Sequence, residues 1–560
     1  MHPSASRYWH TLRYLKRTQI ANRLWRTVYR PHPTVESSFA LRARLFDWVE
    51  PAHVDSFMRG PDEFEFLSVR RRVRDRRDWN QAAWPMLWRY HLHYFDDLNA
   101  FDFHERADWH HALIERWIAD NPPTVGVGWD PYPTSLRIVN WIKWWLGGAL
   151  ASGNALQSVR IQLARVASRL EYHLLGNHLL ENGRALVFGG LFFEGDEANR
   201  WLHRGLDILA QQLPEQILDD GGHFERSPMY HQITLAGLLD LYNMMRVFDR
   251  QERSDLVPYL QRMLHWSTLM RHPDGDIALF NDAAFHEAPT PQRLEKYATD
   301  IGIELPTPEV PAAEALSVHL KPSGYVRVER DSYVALLNVG SVAPDYQPGH
   351  AHADTLSFEL SAMGRRLIVD TGTSTYERGS RRNWERGSAA HNSIVLNGLN
   401  SSDVWGGFRV ARRASILTAT VRSDEASTTV VAAHDGYRHL PSRAVHERRW
   451  IFSADHMRID DFIEGRGEVS LDLTLNFHPD IELIQTSSIR FVARSFDGTA
   501  AAIIDTPREL TARIAEFSFA PRFGTVRAGV RIVASAQVEL PQTLVTAVRF
   551  LSAFGQLDCP

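Results

Sequence analysis

The chain has 560 residues, more than one hydrophobic core usually supports, so two or more domains are expected. The formal net charge of −5 argues against a nucleic-acid-binding protein, which would show a basic excess. The single cysteine, Cys559, excludes an internal disulfide framework and a cysteine-rich metal site.

The N-terminal stretch between Tyr8 and Tyr29 combines aromatic and basic side chains, the latter being Arg13, Lys16, Arg17, Arg23 and Arg26. It has no apolar run long enough for a signal sequence or a membrane span. We expect residues 1–78 to form a basic helical extension and the protein to be cytoplasmic, with a periplasmic location as the alternative. A second interpretation is that this stretch rests on an anionic membrane surface.

The period of the apolar residues changes along the chain. Between residues 79 and 302 they recur at helical spacing, as in Leu202, Leu206, Leu209 and Leu213. Beyond residue 311 the period is two, as in residues 325–330, 333–337, 356–360, 393–396, 415–421 and 471–477, which is typical of antiparallel strands. We therefore predict a helical domain over 79–310, a proline-rich linker at 307–314 and a sheet domain over 311–560, with a cleft where they meet.

The first cluster of polar and aromatic residues is the segment 129–141, which contains Trp129, Arg137 and Asn140. Sugar rings stack on aromatic faces and their acidic groups pair with arginine, so this segment predicts a subsite wall. The alternative is a helix start after a proline-rich turn. For the tryptophans alone, Trp141, Trp144 and Trp145 included, a place in the core is the favoured interpretation.

The second cluster joins Asn177, His178 and Glu181, with Asn177 and Glu181 one helical turn apart. An amide, an imidazole and a carboxylate then converge at one helix end. This pattern is equally typical of a capping and buried polar network and of a functional site.

The third cluster is a loop that opens a helix, residues 221–231, with His223, Glu225, Arg226 and Tyr230. A phenol with a lowered pKa, held near Arg226 or a histidine, can act as general base or acid. Most core tyrosines only bury a ring and satisfy one hydroxyl group. The polar neighbours on both sides of Tyr230 favour a functional role for it.

The fourth cluster starts with His350 and His352, placed at period two at the mouth of an alternating strand, so that both rings should share a face. Asp370 and His391 follow. Two histidines and an aspartate, with water in an open position, suit Zn²⁺. The alternative is a polar feature of an edge strand.

Together these clusters resemble the heparinase II/III-like family of polysaccharide lyases, from about residue 84 to the end. The resemblance is carried by Asn177-His-Leu-Leu-Glu-Asn-Gly, Gly221-Gly-His-Phe-Glu-Arg-Ser-Pro-Met-Tyr-His, Gly349-His-Ala-His-Ala-Asp-Thr-Leu-Ser-Phe and Ala389-Ala-His-Asn. It implies an N-terminal (α/α) toroid followed by a C-terminal antiparallel β-sandwich domain. It also implies β-elimination at a 4-linked uronic acid of an acidic polysaccharide.

The resemblance further implies roles for individual residues. Asn177, with His178 or Glu181 nearby, matches the group that neutralises the substrate carboxylate, and Tyr230 and His350 match the pair that shares proton transfer. Which of the two takes the C5 proton stays open. His352, Asp370 and His391 match the ligands of a structural divalent metal, expected to be Zn²⁺, with His391 as a second candidate for carboxylate neutralisation. The residues expected to contact substrate are Glu181, Trp129, Arg137, Asn140, His223, Glu225, Arg226 and His391.

Because no signal sequence is recognisable, we expect a place in bacterial exopolysaccharide metabolism rather than in extracellular degradation. Three other functions fit the sequence: a uronyl C5-epimerase of the same fold, a non-catalytic glycan-binding or assembly protein, and an inverting glycosidase that uses Glu225 with Asp220 or Asp282. Absorbance of an unsaturated uronate distinguishes elimination from all three. No oligomeric state follows from the sequence.

Overall fold

The computed structural model describes residues 5–29, 31–35, 39–306, 316–424, 426–499 and 501–551, so the predicted linker at 307–314 and Cys559 lie outside it. The α-helices, in chain order, are α1 (Ala5–Leu12), α2 (Arg17–Val28), α3 (Met86–Tyr94), α4 (Ala107–Asp120), α5 (Pro131–Leu146), α6 (Gly153–Ser168), α7 (Gly176–Phe192), α8 (Asp196–Gln216), α9 (Pro228–Val247), α10 (Arg253–Leu269), α11 (Pro291–Asp300) and α12 (Ser380–Glu385).

The β-strands, in chain order, are β1 (Ala40–Leu41), β2 (Met58–Gly60), β3 (Glu63–Phe66), β4 (Val69–Arg72), β5 (Phe193–Glu194), β6 (Leu316–Leu320), β7 (Tyr325–Arg330), β8 (Tyr333–Asn338), β9 (Phe358–Ala362), β10 (Arg365–Ile368), β11 (Ile394–Leu396), β12 (Val404–Trp405), β13 (Arg409–Val410), β14 (Ile416–Ser423), β15 (Thr428–His434), β16 (Val445–Phe452), β17 (His456–Asn476), β18 (Ile481–Gln485), β19 (Arg490–Ser495), β20 (Ala501–Asp505), β21 (Thr511–Arg522) and β22 (Thr525–Leu551).

The helices of the first half form two rows. Helices α3, α5, α7, α9 and α11 contact one another in that order, and α4, α6 and α8 form a second row behind α5 and α7. Close approach of α7 and α8 depends on glycine, because a Cβ atom at Gly190 would lie 2.5 Å from the backbone nitrogen of Leu202. This double row confirms the predicted incomplete (α/α) toroid, with Trp141, Trp144 and Trp145 in its core.

The N-terminal extension differs from the prediction, because only its first part is helical. Helices α1 and α2 form an arm, which we define as residues 5–28, and β2, β3 and β4 then form a small antiparallel sheet. The residues of β3 alternate in burial, with Phe64 and Phe66 facing the toroid core. Period-two burial of this kind stabilises a strand rather than a helix.

The second half is built from two antiparallel sheets. One has the strand order β10-β9-β8-β7-β6, and the larger runs β14-β15-β16-β17-β22-β20-β19-β18, with β11 on β17 and β21 on β22. Side chains of both sheets share one hydrophobic core, as Leu337 and Phe358 do with Trp450 and Ile532. The two sheets packed on one core confirm the antiparallel β-sandwich architecture.

The two halves meet through a smaller apolar cluster that includes Met229 of α9, Leu279, Phe517 and Phe519. Leu279 belongs to the segment that follows α10 and runs along the sheet, where Glu359 of β9 accepts a hydrogen bond from its backbone N–H at 3.0 Å. That segment continues into Asp282, so the interface sets the position of this carboxylate. Within the described ranges, every helix is too short or too polar to cross a membrane.

Candidate active site

A cavity of about 700 Å³ lies between the toroid, the sheet domain and the arm. The first turn of α7 supplies Asn177 and His178 to its wall, and α9 supplies Tyr230. The sheet domain contributes His350 and Tyr376. The structure therefore brings together the four residues predicted to be catalytic.

His350 is held by Asp282. Its Nδ1 lies 2.9 Å from Oδ2 of Asp282, and Oδ1 of the same carboxylate lies 2.8 Å from Nε2 of His352. Arg382 of α12 donates to both carboxylate oxygens, with Nη2 at 2.6 Å from Oδ2. Burial alone would raise the pKa of Asp282, but the charge of Arg382 and the hydrogen bonds of the two histidines hold it well below its usual range.

Because Asp282 is ionised, it accepts the proton on Nδ1 of His350, which leaves the lone pair on Nε2. The two histidines do point the same way, but the predicted reason is wrong. Residues 349–357 form a loop, and the strand begins only at Phe358. Their common direction comes from the shared carboxylate rather than from strand periodicity.

The rings of Tyr230 and His350 are in contact, with centroids 3.9 Å apart and planes tilted by 32°, and the Tyr230 hydroxyl lies 3.3 Å from that of Tyr376. Burial, and then the neighbouring Tyr376, raise the pKa of Tyr230 well above its usual range, contrary to the predicted lowered pKa. Arg226, the predicted cationic neighbour, instead donates to the backbone carbonyls of Ser341 and Pro322. Tyr230 is therefore a protonated phenol beside an oriented imidazole.

The toroid side of the cavity carries an amide and an imidazole. Asn177 is buried, and its Oδ1 has no hydrogen-bonding partner among the described residues. The His178 ring lies 4.4 Å from that of Tyr132, with Nδ1 3.3 Å from Glu171. Burial lowers the pKa of His178, but the charge of Glu171 outweighs it and raises that pKa above the usual value, so a cation is favoured beside Asn177.

Glu225 lies behind the catalytic cluster, 3.7 Å from Nε2 of His350, and neither of its carboxylate oxygens has a hydrogen-bonding partner among the residues described. Burial raises the pKa of Glu225, although His350 opposes the shift. Burial therefore disfavours the charged form of this carboxylate.

Two of the predicted metal ligands, His391 and Asp370, are hydrogen-bonded to each other, whereas the third, His352, bonds to Asp282. Nδ1 of His391 lies 2.7 Å from Asp370, and the His391 ring lies 5.4 Å from that of His352. In the ranges that the structure describes, no three His, Cys, Asp or Glu side chains surround one point as metal ligands would. Nδ1 of His352 and Nε2 of His391 are nevertheless buried and have no hydrogen-bonding partner among the described residues, and such nitrogens suit a cation.

The structure corrects several predicted substrate contacts. Trp129 donates to the carbonyl of Asn121, and Arg137 stacks on Trp117 and bonds to Gln162 within the toroid core. His223 pairs with Gln216, Arg226 joins the loop to the sheet domain, and His391 is fully buried behind His352. None of these five residues lines the cavity, whereas Asn140 does. Glu181 does not line it either, but it accepts a hydrogen bond from Arg184, which does.

Two residues of the site were missed at the sequence level. Tyr376 touches both Tyr230 and His350, and Arg382 neutralises Asp282. Both stand in the polar segment 376–386, which none of the four predicted clusters included. Asp282 was considered only as a glycosidase carboxylate, since its partners lie 68 to 100 residues away along the chain.

Comparison with known proteins shows which family the sequence matches. The family profile described as "Heparinase II/III-like, C-terminal" matches residues 313–548, and "Heparinase II/III N-terminus" matches residues 105–300. A heparin-sulfate lyase of Bacteroides stercoris is 30% identical over 256 residues, which is 41% of this chain and 37% of that protein. FtsZ-localized protein C of Caulobacter vibrioides is 25% identical over 56% of this chain and 53% of its own length.

The chain thus spans 36% to 56% of the length of the curated relatives it matches. Among solved structures, one titled "Crystal Structure of Heparinase III" superposes with a TM-score of 0.67 at 19% identity. The match covers 84% of this chain and 77% of that one. This similarity shows the fold, a toroid followed by a sheet domain.

Proposed function

Since the chain belongs to the heparinase II/III-like family, we propose that it is a polysaccharide lyase that cleaves 4-linked uronic acids of an acidic polysaccharide by β-elimination. The observation that carries the proposal is the contact between the rings of His350 and Tyr230, with His350 oriented by Asp282. Asn177 and His178 line the same cavity. Together these residues supply a base, an acid and a carboxylate neutraliser.

Asn177 and cationic His178 bind the substrate carboxylate, which lowers the energy of the enolate-like state that forms when C5 loses its proton. Nε2 of His350 accepts that proton, and the resulting imidazolium is stabilised by Asp282. The electron pair of the C5–H bond, first delocalised into the carboxylate, forms the C4=C5 double bond as the C4–O4 bond breaks. The C4–O4 electron pair leaves with O4, and Tyr230, protonated because its pKa is raised, donates its proton to that oxygen.

The other functions find less support in the geometry. A C5-epimerase must remove the C5 proton from one face of the sugar ring and return it to the opposite face, which needs proton-transfer groups on both faces. His350 and Tyr230 are instead in contact with each other. For a glycosidase, Asp282 is fully engaged by Arg382, and Asp220 accepts hydrogen bonds from Ser323 in a turn. Neither carboxylate is therefore free to act as the base that would activate water beside Glu225.

The decisive experiment uses a panel of uronate polysaccharides and follows absorbance of the unsaturated product. Heparin-type glycans come first, because relatives are named heparin-sulfate lyases. We expect Tyr230→Phe to lose at least about 100-fold in kcat, as removal of a general acid predicts. Tyr376→Phe is the matched control and should lose less than about tenfold, since it only contacts the pair.

A substrate with fluoride at C4 separates the two proton-transfer roles, because fluoride leaves without protonation. Tyr230→Phe should regain activity on this substrate, whereas His350→Ala should not. Regain by His350→Ala instead would reverse the assignment. Absence of absorbance on every glycan with the wild-type protein would contradict elimination itself.

A structural divalent cation held by His352, Asp370 and His391 remains a proposal, supported by the two unpartnered buried nitrogens. Such a cation would brace the loop beneath His350, and elemental analysis of the purified protein tests its presence. A role in bacterial exopolysaccharide metabolism also remains a proposal, which the glycan panel addresses.

A further inference from the structure

The arm presents its apolar side to solvent. In α2, Ile20, Leu24 and Val28 recur every four residues and so share one face, with Trp25 beside them. Leu24 is 67% exposed, Trp25 57% and Val28 76%. A surface helix of a globular protein normally turns this face toward the core, so the orientation of α2 is inverted.

The opposite, polar face of α2 holds it on the protein. Gln19 is buried and donates to the carbonyls of Leu174 and Tyr346, at 3.2 and 3.3 Å. Arg26 donates to the carbonyl of Arg169 at 3.0 Å. The exposed apolar face is therefore a consequence of specific polar contacts and not of a loosely placed helix.

Helix α1 also exposes apolar side chains to solvent. None of its residues is buried, and Trp9 is 67% exposed. The side of α1 that meets the protein does so through Tyr8, whose ring lies edge-on to Trp405 at 5.3 Å. Two exposed tryptophans therefore lie on one short arm, and tryptophan is the residue that favours a membrane–water interface.

The basic charge of the arm indicates that the partner of its exposed apolar surface is anionic. The first 35 residues contain seven arginine or lysine residues and no aspartate or glutamate, although the whole chain carries a net charge of −5. Arg7 and Lys16 pair with Asp403 and Glu215 of the protein body. By contrast, Arg13, Arg17 and Arg23 have no carboxylate partner within the described ranges.

We propose that the arm is a docking surface for an anionic lipid bilayer, with Leu24, Trp25, Val28 and Trp9 inserted among the headgroups and the unpaired arginines bound to lipid phosphates. Amphipathic helices that combine bulky apolar residues with basic ones bind membranes in this way, parallel to the surface. The arm also lines the cavity through Tyr8, Leu15 and Gln19. Docking therefore places the opening of the cavity close to the membrane, where a membrane-associated glycan would reach it.

Sedimentation of the full chain with vesicles tests this proposal. The experiment measures binding alone, so its outcome does not depend on lyase activity. We expect binding to vesicles that contain phosphatidylglycerol and little binding to pure phosphatidylcholine, with a strong decrease in high salt. The double variant Leu24→Glu, Trp25→Glu should bind at least tenfold more weakly. Arg17→Gln should bind more weakly by about fivefold at most, because one cation near an anionic surface contributes about 1 kcal/mol.

The matched control is Phe496→Glu, since Phe496 is 72% exposed but lies in the sheet domain. It should bind vesicles like the wild type. Equal, salt-independent binding to phosphatidylcholine would overturn the anionic assignment. Absence of binding to either kind of vesicle would overturn the proposal. If the protein then formed a concentration-dependent dimer that Leu24→Glu abolishes, the exposed face would be assigned to a second copy of the chain.

Discussion

One carboxylate organises the catalytic residues. Asp282 accepts from His350, His352 and Arg382 at once, and all of these groups except His350 are fully buried. A buried ion pair contributes little net stability when intact, but removing one partner leaves an uncompensated charge. Asp282 thus fixes the tautomer of His350, and its removal should also lower the stability of the protein.

Asp282→Asn should therefore reduce both activity and stability. We expect kcat to fall by about 100- to 10,000-fold, because the asparagine no longer fixes the imidazole tautomer. The free energy of unfolding should fall by about 3–5 kcal/mol, because Arg382 loses its partner. Initial rates and urea denaturation measure the two effects.

A second Asp–His–Arg cluster in the sheet separates these effects. Asp461 pairs with His446 and Arg448, both at 2.6 Å, and all three are buried away from the cavity. Asp461→Asn should lose similar stability yet keep kcat per folded molecule. If both variants lost kcat equally, Asp282 would have no specific part in orienting His350.

The protonation state of His178 should determine how kcat/KM changes at alkaline pH. Burial lowers its pKa, but Glu171 outweighs this and raises it, so the cation is lost only as pH rises through a value above the usual one. If this cation binds the substrate carboxylate, kcat/KM should fall through that pKa. Glu171→Gln should move the fall to lower pH, and His178→Gln should remove it while lowering the plateau.

The same pair gives a stability signature with a definite sign. His178, with its raised pKa, contributes stability that is complete below the unfolded pKa and is lost as pH rises through the folded one. Burial raises the pKa of Glu171, but His178 brings it below its usual value, so its contribution is lost as pH falls through the folded pKa. Urea denaturation across pH should show less variation in Glu171→Gln than in the wild type.

At the scale of the secondary-structure elements, the start of α9 places Tyr230. Ser227 caps this helix, accepting from the backbone N–H of Tyr230 at 3.2 Å, and its hydroxyl donates to the carbonyl of Asp282 at 2.5 Å. One side chain therefore ties the helix that carries the proposed acid to the segment that orients the base.

Ser227→Ala should cost about 1–2 kcal/mol of stability and also lower kcat, because both proton-transfer groups lose a common support. Ser152→Ala is the matched control, since Ser152 caps α6 in the same way, with its hydroxyl accepting from Ala155 N–H at 3.0 Å, outside the cavity. Denaturation and initial rates should show similar stability losses for both but a lower kcat only for Ser227→Ala. Equal kcat in the two variants would contradict the coupling.

Secondary structure was more predictable than side-chain placement. Apolar periodicity located α8, α9, β7 and β8, because each buries a continuous face. The loop around His350 was mistaken for a strand, since alternation over a few residues does not reveal whether a backbone is paired. Arg137 resembles an anion-binding residue but donates to Gln162 and to the carbonyl of His93, which only the packing of helices brings near.

At the scale of the whole molecule, the arm joins the two halves across the cavity. Arg7 pairs with Asp403 of the sheet domain, and Trp405 donates to the hydroxyl of Thr11 at 3.2 Å. Lys16 and Gln19 bind the toroid side, at Glu215 and Leu174. A substrate chain that passes along the cleft would meet the arm on one side of the cavity.

We therefore expect the protein to act on chain ends. Product absorbance should rise while the viscosity of the polymer stays nearly constant, and the first products should be short. Arg7→Glu should increase the viscosity loss per bond cleaved, by about two- to fivefold at most, because a half-exposed ion pair contributes no more than about 1 kcal/mol. Adding Asp403→Arg reverses the pair and should restore the wild-type ratio. A steep early fall in viscosity with the wild-type protein would show that the polymer is cut internally and that the arm does not close the cleft.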